Sequence, residues 1–252
     1  MNWVVNIANI EIKGDFWIEM IKRRVIMNYV KRILAYTLVN LFSLIIVSTP
    51  GTAQQESDVV FRDDFVGTSL NPRWQLIAPD EDRWTFVDGD YLLIVSSKAG
   101  KNVMQFNGEL PDDYEITVKA QTPPQHDDQV IRLILKKDNE NNIRVGYHSG
   151  SEYRVSSTEV FFIKTLRGEN SRIDKVVKKL SKNEQLYLKL SKRGVEYTGA
   201  YSTDGSTWIE IGTHIFLNLD GKPAFETYNL PNGEKPPESG IRFDYFEIRQ
   251  LK

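Results

Sequence analysis

The sequence predicts an all-β fold, a sandwich or barrel, behind an apolar N-terminal export segment. Three observations point there. From Phe61 onward, short runs of alternating apolar and polar residues recur about every ten residues. Gly, Asn and Asp cluster between the runs, where turns need residues that tolerate unusual backbone angles. No segment carries the sustained 3.6-residue period of an amphipathic helix, so layers of strands are the better architecture.

The elements follow in order. Tyr91 to Val95 is a strand announced by the turn Asp88-Gly89-Asp90, and Tyr114 to Ala120 (YEITVKA) alternates cleanly before Pro123-Pro124. Val130 to Lys136 and Asn142 to Tyr147 flank the polar loop Asp138-Asn139-Glu140-Asn141, which suits a hairpin. Glu159 to Leu166 and Ser171 to Leu180 pair in the same way around Arg167-Gly168-Glu169-Asn170. Leu186 to Leu190 and Val195 to Tyr201 bracket Ser191 to Gly194; Thr207 to Ile211 follows Asp204-Gly205, and Ile241 to Ile248 closes the chain. The stretch from Asn229 to Ser239 is irregular.

The N-terminal fifty residues read differently. Lys31 and Arg32 precede an uncharged apolar run from Ile33 to Val47, and Pro50-Gly51 and Thr52-Ala53-Gln54 follow. That layout is a helical secretory signal peptide, and the run is shorter than the roughly 20 apolar residues of a membrane-spanning helix. The expectation is cleavage after Ala53. It gives an N-terminal extension and signal peptide over 1–53, one folded domain over 54–252, a secreted or periplasmic location, and no stable membrane anchor after cleavage. Residues 1–26 lack periodicity, and Met20 or Met27 would each start a leader of more ordinary length than Met1.

Charge narrows the partners. The chain has 32 Lys and Arg against 34 Asp and Glu; residues 1–53 hold six and three of these, leaving 26 and 31, a net charge near −5. Nucleic acid is a poor partner for such a surface, because phosphate binding needs clustered cations. There is no cysteine, which excludes a lipidated cysteine, thiolate metal sites and cysteine nucleophiles.

Three ordered segments resemble a known family. Phe61-Arg62-Asp63-Asp64-Phe65 with Leu70-Asn71-Pro72-Arg73-Trp74 is similar to the opening of concanavalin-A-like modules. Tyr201 to Trp208, continuing to Ile211-Gly212, resembles their penultimate region, and Ile241 to Ile248 their closing strand. The likeness covers essentially all of 60–250 and is nearest the jelly-roll module at the C-terminus of bacterial β-xylosidases and its free-standing relatives. It implies a two-sheet antiparallel jelly-roll sandwich whose first and last strands pair, bringing Phe61, Phe65, Phe243 and Tyr245 to one core edge. It also implies a structural calcium between those strands, with Asp63 or Asp64 and Asp244 at the matching positions.

Glycoside hydrolysis needs two carboxylates flanking the scissile bond. No strand shows acids at period two. Asp80 and Asp82 follow Pro79 in a loop, and Asp244 and Glu247, three apart, point to opposite faces of a regular strand. No Gly-x-Ser-x-Gly elbow accompanies His126, His148 and His214. No catalytic residue is therefore assigned. Alternation does gather a polar face: Ile131, Leu133 and Leu135 oppose Arg132, and Ile143, Val145 and Tyr147 oppose Arg144 and His148. Arg132, Arg144 and His148, with Trp84 and Tyr153 on adjoining loops, are the expected ligand-binding residues. The expected function is non-catalytic recognition of a poly- or oligosaccharide. A glycoside hydrolase with its acids on separate strands, or a laminin-G-like surface interaction domain, is the alternative.

Overall fold

The computed structural model describes residues 57–96, 99–121, 127–150, 157–230 and 238–252. The leader expected over 1–53 lies outside them. The described residues form fifteen strands: β1 (Ser57–Asp63), β2 (Trp74–Ile77), β3 (Trp84–Val87), β4 (Tyr91–Ser96), β5 (Val103–Phe106), β6 (Tyr114–Ala120), β7 (Gln129–Lys136), β8 (Asn142–His148), β9 (Glu159–Leu166), β10 (Glu169–Val176), β11 (Leu186–Arg193), β12 (Glu196–Ser202), β13 (Ile209–Ile215), β14 (Lys222–Asn229) and β15 (Ser239–Leu251). They make two antiparallel sheets. One runs β13-β12-β11-β6-β15-β4-β3 with β1 also on β15; the other runs β10-β9-β8-β7-β14-β5-β2.

The hairpin turns obey their local chemistry. Between β7 and β8 the Asp138 carboxylate accepts the amides of Glu140 and Asn141 at 2.8 and 2.7 Å. Between β12 and β13 Asp204 accepts those of Ser206 and Thr207, both at 2.7 Å. Gly205 takes a positive φ of 75°, which costs glycine little.

The core lies between the sheets. Ile116 and Val118 of β6, Leu188 and Leu190 of β11 and Ile94 of β4 meet Ile131 and Leu133 of β7, Val145 and Tyr147 of β8, Phe162 of β9 and Phe225 of β14, all fully buried. Each contributes about 1.5–3 kcal/mol by leaving water. Gly199 of β12 is required where it stands, since a Cβ there would come within 2.6 Å of the Phe162 ring.

The first and last strands pair, Ser57 opposite Leu251 and Asp63 opposite Phe246. The aromatic edge differs from the expected one by a residue. A register shift between Phe243 and Tyr245 in the β15–β6 ladder leaves Phe243, Phe246 and Ile248 buried. Tyr245 sits on the outer side, with the Arg62 guanidinium 4.1 Å from its ring centre. A bulge re-aims every side chain beyond it. For the same reason Asp244 and Glu247 do not point to opposite faces. Both meet outer-face cations, Asp244 pairing with Lys119 at 2.5 Å and Glu247 with Arg62 at 2.9 Å.

Three further differences are local. The strand expected over Ser171 to Leu180 ends at Val176, and the Leu180 amide turns away to donate to the Tyr147 hydroxyl at 3.0 Å. The strand expected to start at Thr207 starts at Ile209. Finally, β14 lies inside the sheet despite Pro223. That proline faces Leu135 of β7, while β14 meets β5 only at Ala224 and Phe225, so its missing N–H falls beyond the β5 ladder.

Candidate functional site

The outer face of the seven-stranded sheet carries a groove of about 410 Å³ crossing β8, β7, β14, β5 and β2. Strand alternation explains its lining. With Leu133 and Leu135 buried inward, Arg132, Ile134 and Lys136 of β7 must project outward. The same rule turns Asn142 and Arg144 of β8, Ala224 and Glu226 of β14 and Gln105 of β5 to the groove.

Arg132 and Glu226 are directly opposite in the β7–β14 ladder. Both the Nε and an Nη of Arg132 donate to Glu226 Oε1. Arg132 also donates to the Tyr228 hydroxyl at 3.2 Å and lies 4.7 Å from that ring's centre. The other Glu226 oxygen accepts the Gly100 amide at 3.0 Å. The Glu226 side chain is only 1% exposed, so this carboxylate is committed to the protein.

Arg144 is held differently. One of its terminal nitrogens donates to Asn142 Oδ1 at 2.6 Å and to Thr165 Oγ1 at 2.9 Å; the other reaches Asn170 Oδ1 at 3.5 Å. Thr165 in turn donates to Asn170 at 2.7 Å. Its partners are all neutral. Burial first, and then the Arg132 charge, pull the Arg144 pKa below its ordinary value, although an arginine stays charged at any physiological pH.

His148 shares the outer side of β8 but stands at the other end of the strand. It is buried, with Nε2 3.5 Å from Asp128 Oδ1 and Nδ1 3.7 Å from Glu159 Oε1, both too long for hydrogen bonds. Between it and Arg144, Gly146 leaves room for the Phe161 ring, which a Cβ would strike. Phe161, Val130, Ile163 and Tyr228 form a small apolar cluster on this face. Thus the sheet brings Arg132 and Arg144 into one groove and sets His148 beyond an aromatic divide.

The other expected ligand residues fall elsewhere. Trp84 is not on a loop beside these residues; it opens β3 at the edge of the opposite sheet and packs against the main core. Tyr153 lies outside the described residues. The sequence reading missed Glu226, Asn142, Gln105 and Lys136. The sequence suggests no strand at β14, because polar Thr227 is buried inward and Tyr228 lies in the outer-face cluster, so simple alternation does not mark Glu226.

The three acids expected at calcium do not fit that ion as they stand. Asp63 accepts the Phe65 amide through Oδ1 and the Trp74 indole through Oδ2, both at 2.8 Å. Asp64 is paired with Arg62 at 2.6 Å, and Asp244 with Lys119 and with Gln121 at 3.1 Å. Calcium needs six or more oxygens converging on one point. Among the described residues no group of three acids or histidines converges in that way.

No protein-family model matches the chain, and no curated protein matches it in sequence. Solved structures do resemble it in shape. A xylan β-1,4-xylosidase from Bacillus halodurans superposes with a TM-score of 0.62 at 17% identity, over 75% of this chain and 39% of that one. A GH43 protein from Bacillus licheniformis gives 0.60 at 16%, over 74% and 38%. The chain thus spans about two fifths of these enzymes. A non-specific endo-β-1,3(4)-glucanase of family GH16 gives 0.56 at 9%, over 78% of this chain and 92% of that one. Together with the sheet order, these likenesses show the fold of the described residues: a two-sheet antiparallel jelly-roll sandwich, as in these structures.

Proposed function

We propose that the protein is an exported, non-catalytic carbohydrate-binding module that recognises a poly- or oligosaccharide in the groove over β8, β7, β14, β5 and β2. One observation carries the reading. The groove is open, about 410 Å³, and its outward side chains mix donors, acceptors and short apolar surfaces across five strands. Sugar rings present that same mixture. The resemblance to carbohydrate-active enzymes supports it, though fold alone does not fix function.

The groove's acids weigh against the hydrolase alternative. Glu226 is the one carboxylate in the groove lining among the described residues, and Arg132 and Gly100 already hold it. A glycosidase needs a second carboxyl group about 5–10 Å away. Export to the cell exterior or periplasm fits the leader pattern at Lys31 to Ala53 and a glycan partner outside the cytoplasm.

The test is a glycan array probed with the purified protein, with reducing-sugar release measured on every glycan bound. Binding without release above a denatured control is the expected result. Hydrolysis would instead establish the enzyme reading, and failure to bind any glycan would overturn both.

A further inference from the structure

The groove has the opposite charge balance to the chain. The whole sequence carries a net charge of −2, yet the groove is lined by three cations, Arg132, Lys136 and Arg144, and a single anion, Glu226. Arg132 and Glu226 neutralise each other. Arg144 and Lys136 form no ion pair among the described residues, and they are neighbours across the β7–β8 ladder, where Ile134 faces Arg144 and Lys136 faces Asn142. Diagonal positions on one sheet face lie about 7–8 Å apart. Two uncompensated positive charges therefore share one concave site.

The hold on Arg144 is directional. Asn142 and Thr165 grip one terminal nitrogen, at 2.6 and 2.9 Å, leaving the edge formed by Nε and the other terminal nitrogen with the single 3.5 Å contact to Asn170. That edge presents two parallel N–H groups, the geometry that takes a carboxylate or a sulfate in a forked pair. Drawing a guanidinium partly out of water without an anion is costly, and a ligand anion at this edge removes that cost.

We infer that the groove takes an acidic glycan, with Arg144 gripping a carboxylate or sulfate on the sugar through its Nε edge and Lys136 supplying the second charge. This rests on the carbohydrate reading above and narrows its ligand class. Two cations suit a sugar bearing one anion per residue or two; they are too few for a polyphosphate backbone on an otherwise acidic protein.

The experiment measures binding of the purified protein to polygalacturonate, to fully methyl-esterified polygalacturonate, to neutral β-1,4-xylan and to dextran sulfate against dextran. Arg144→Gln, Lys136→Gln and, as a distant control, Lys178→Gln are measured beside the parent. Expected is binding to an acidic polymer about ten- to a hundredfold tighter than to its neutral counterpart, since a hydrogen-bonded charge is worth that much. Arg144→Gln removes most of the preference, Lys136→Gln part of it, and Lys178→Gln none; if Arg144→Gln proves unfolded, Lys136→Gln carries the test. Preference for polygalacturonate identifies a carboxylate as the anion, and preference for dextran sulfate alone identifies a sulfate. Equal binding of acid, ester and xylan overturns the acidic reading and leaves the carbohydrate reading standing. A loss in Lys178→Gln as large as in Arg144→Gln reduces the effect to general attraction and also overturns it. No binding to any polymer removes the carbohydrate reading itself.

Discussion

Arg132 and Glu226 face each other across the β7–β14 ladder and are joined through both an Nε–H and an Nη–H on one carboxylate oxygen. The pair is largely out of water, so removing one member strands the other. Glu226→Ala is expected to lower stability by about 3–5 kcal/mol, and the double variant Arg132→Met with Glu226→Ala to recover part of that loss. Urea denaturation of the two variants checks it; a double variant no more stable than Glu226→Ala would show that the stranded charge is not the cause.

Asp63 ties the end of β1 to the aromatic core edge. Its two oxygens hold the Phe65 amide and the Trp74 indole, and the Trp74 ring packs edge-on against Phe246 and Phe225, 4.9 and 5.5 Å between centres. Asp63→Ala leaves both donors without a partner and is expected to cost about 1–3 kcal/mol. The cost is the same in calcium and in chelator, read from paired melting curves. A melting temperature of the parent protein that falls on chelation and returns with added calcium would instead place an ion at these acids.

Acid sensitivity follows from two carboxylates. The Thr207 and then Ser206 amides hold Asp204 well below the usual carboxylate range. Burial pushes Glu247 upward, but hydrogen bonds from Arg249 and Arg62 outweigh it and leave its pKa lowered. A carboxyl group with a lowered folded-state pKa adds stability above its unfolded pKa and loses it as pH falls through the folded value. The contribution of these two carboxylates is therefore level near neutrality and drops below about pH 4–5, where unfolded carboxyls begin to take protons. Glu247→Gln flattens that drop, as denaturation midpoints between pH 7 and pH 3 would show.

Val145 separates folding from binding. Its side chain is fully buried on the inward side of β8, next to the outward Arg144. Val145→Ala opens a cavity and is expected to cost about 1–3 kcal/mol, while the groove keeps its chemistry. Glycan affinity measured well below the lowered melting point should match the parent within about twofold.

The alternation of side chains along β7 and β8 is local, so Arg132, Arg144 and their inward neighbours could be assigned to faces from sequence alone. Glu226 could not, because it arrives 94 residues after Arg132 in the chain and only strand pairing brings it there. Tyr245 was misplaced because one extra residue in β15 reverses the pattern beyond it, and a bulge leaves no mark in composition. Trp84, expected on a loop adjoining Arg132 and Arg144, instead opens β3 in the other sheet. A period of two tells which residues share a side of a strand, never which sheet the strand joins.

The pairing of β1 with β15 has a mechanical consequence. Because the ladder is antiparallel and begins with Ser57 opposite Leu251, a pull applied between these two positions loads its hydrogen bonds one after another. Such a geometry unzips at low force, where a pull along the strands would have to break the ladder at once. Traction between the two ends would peel β1 away first, exposing the aromatic edge at Phe61 and Trp74 while the groove, on the opposite sheet, is still intact.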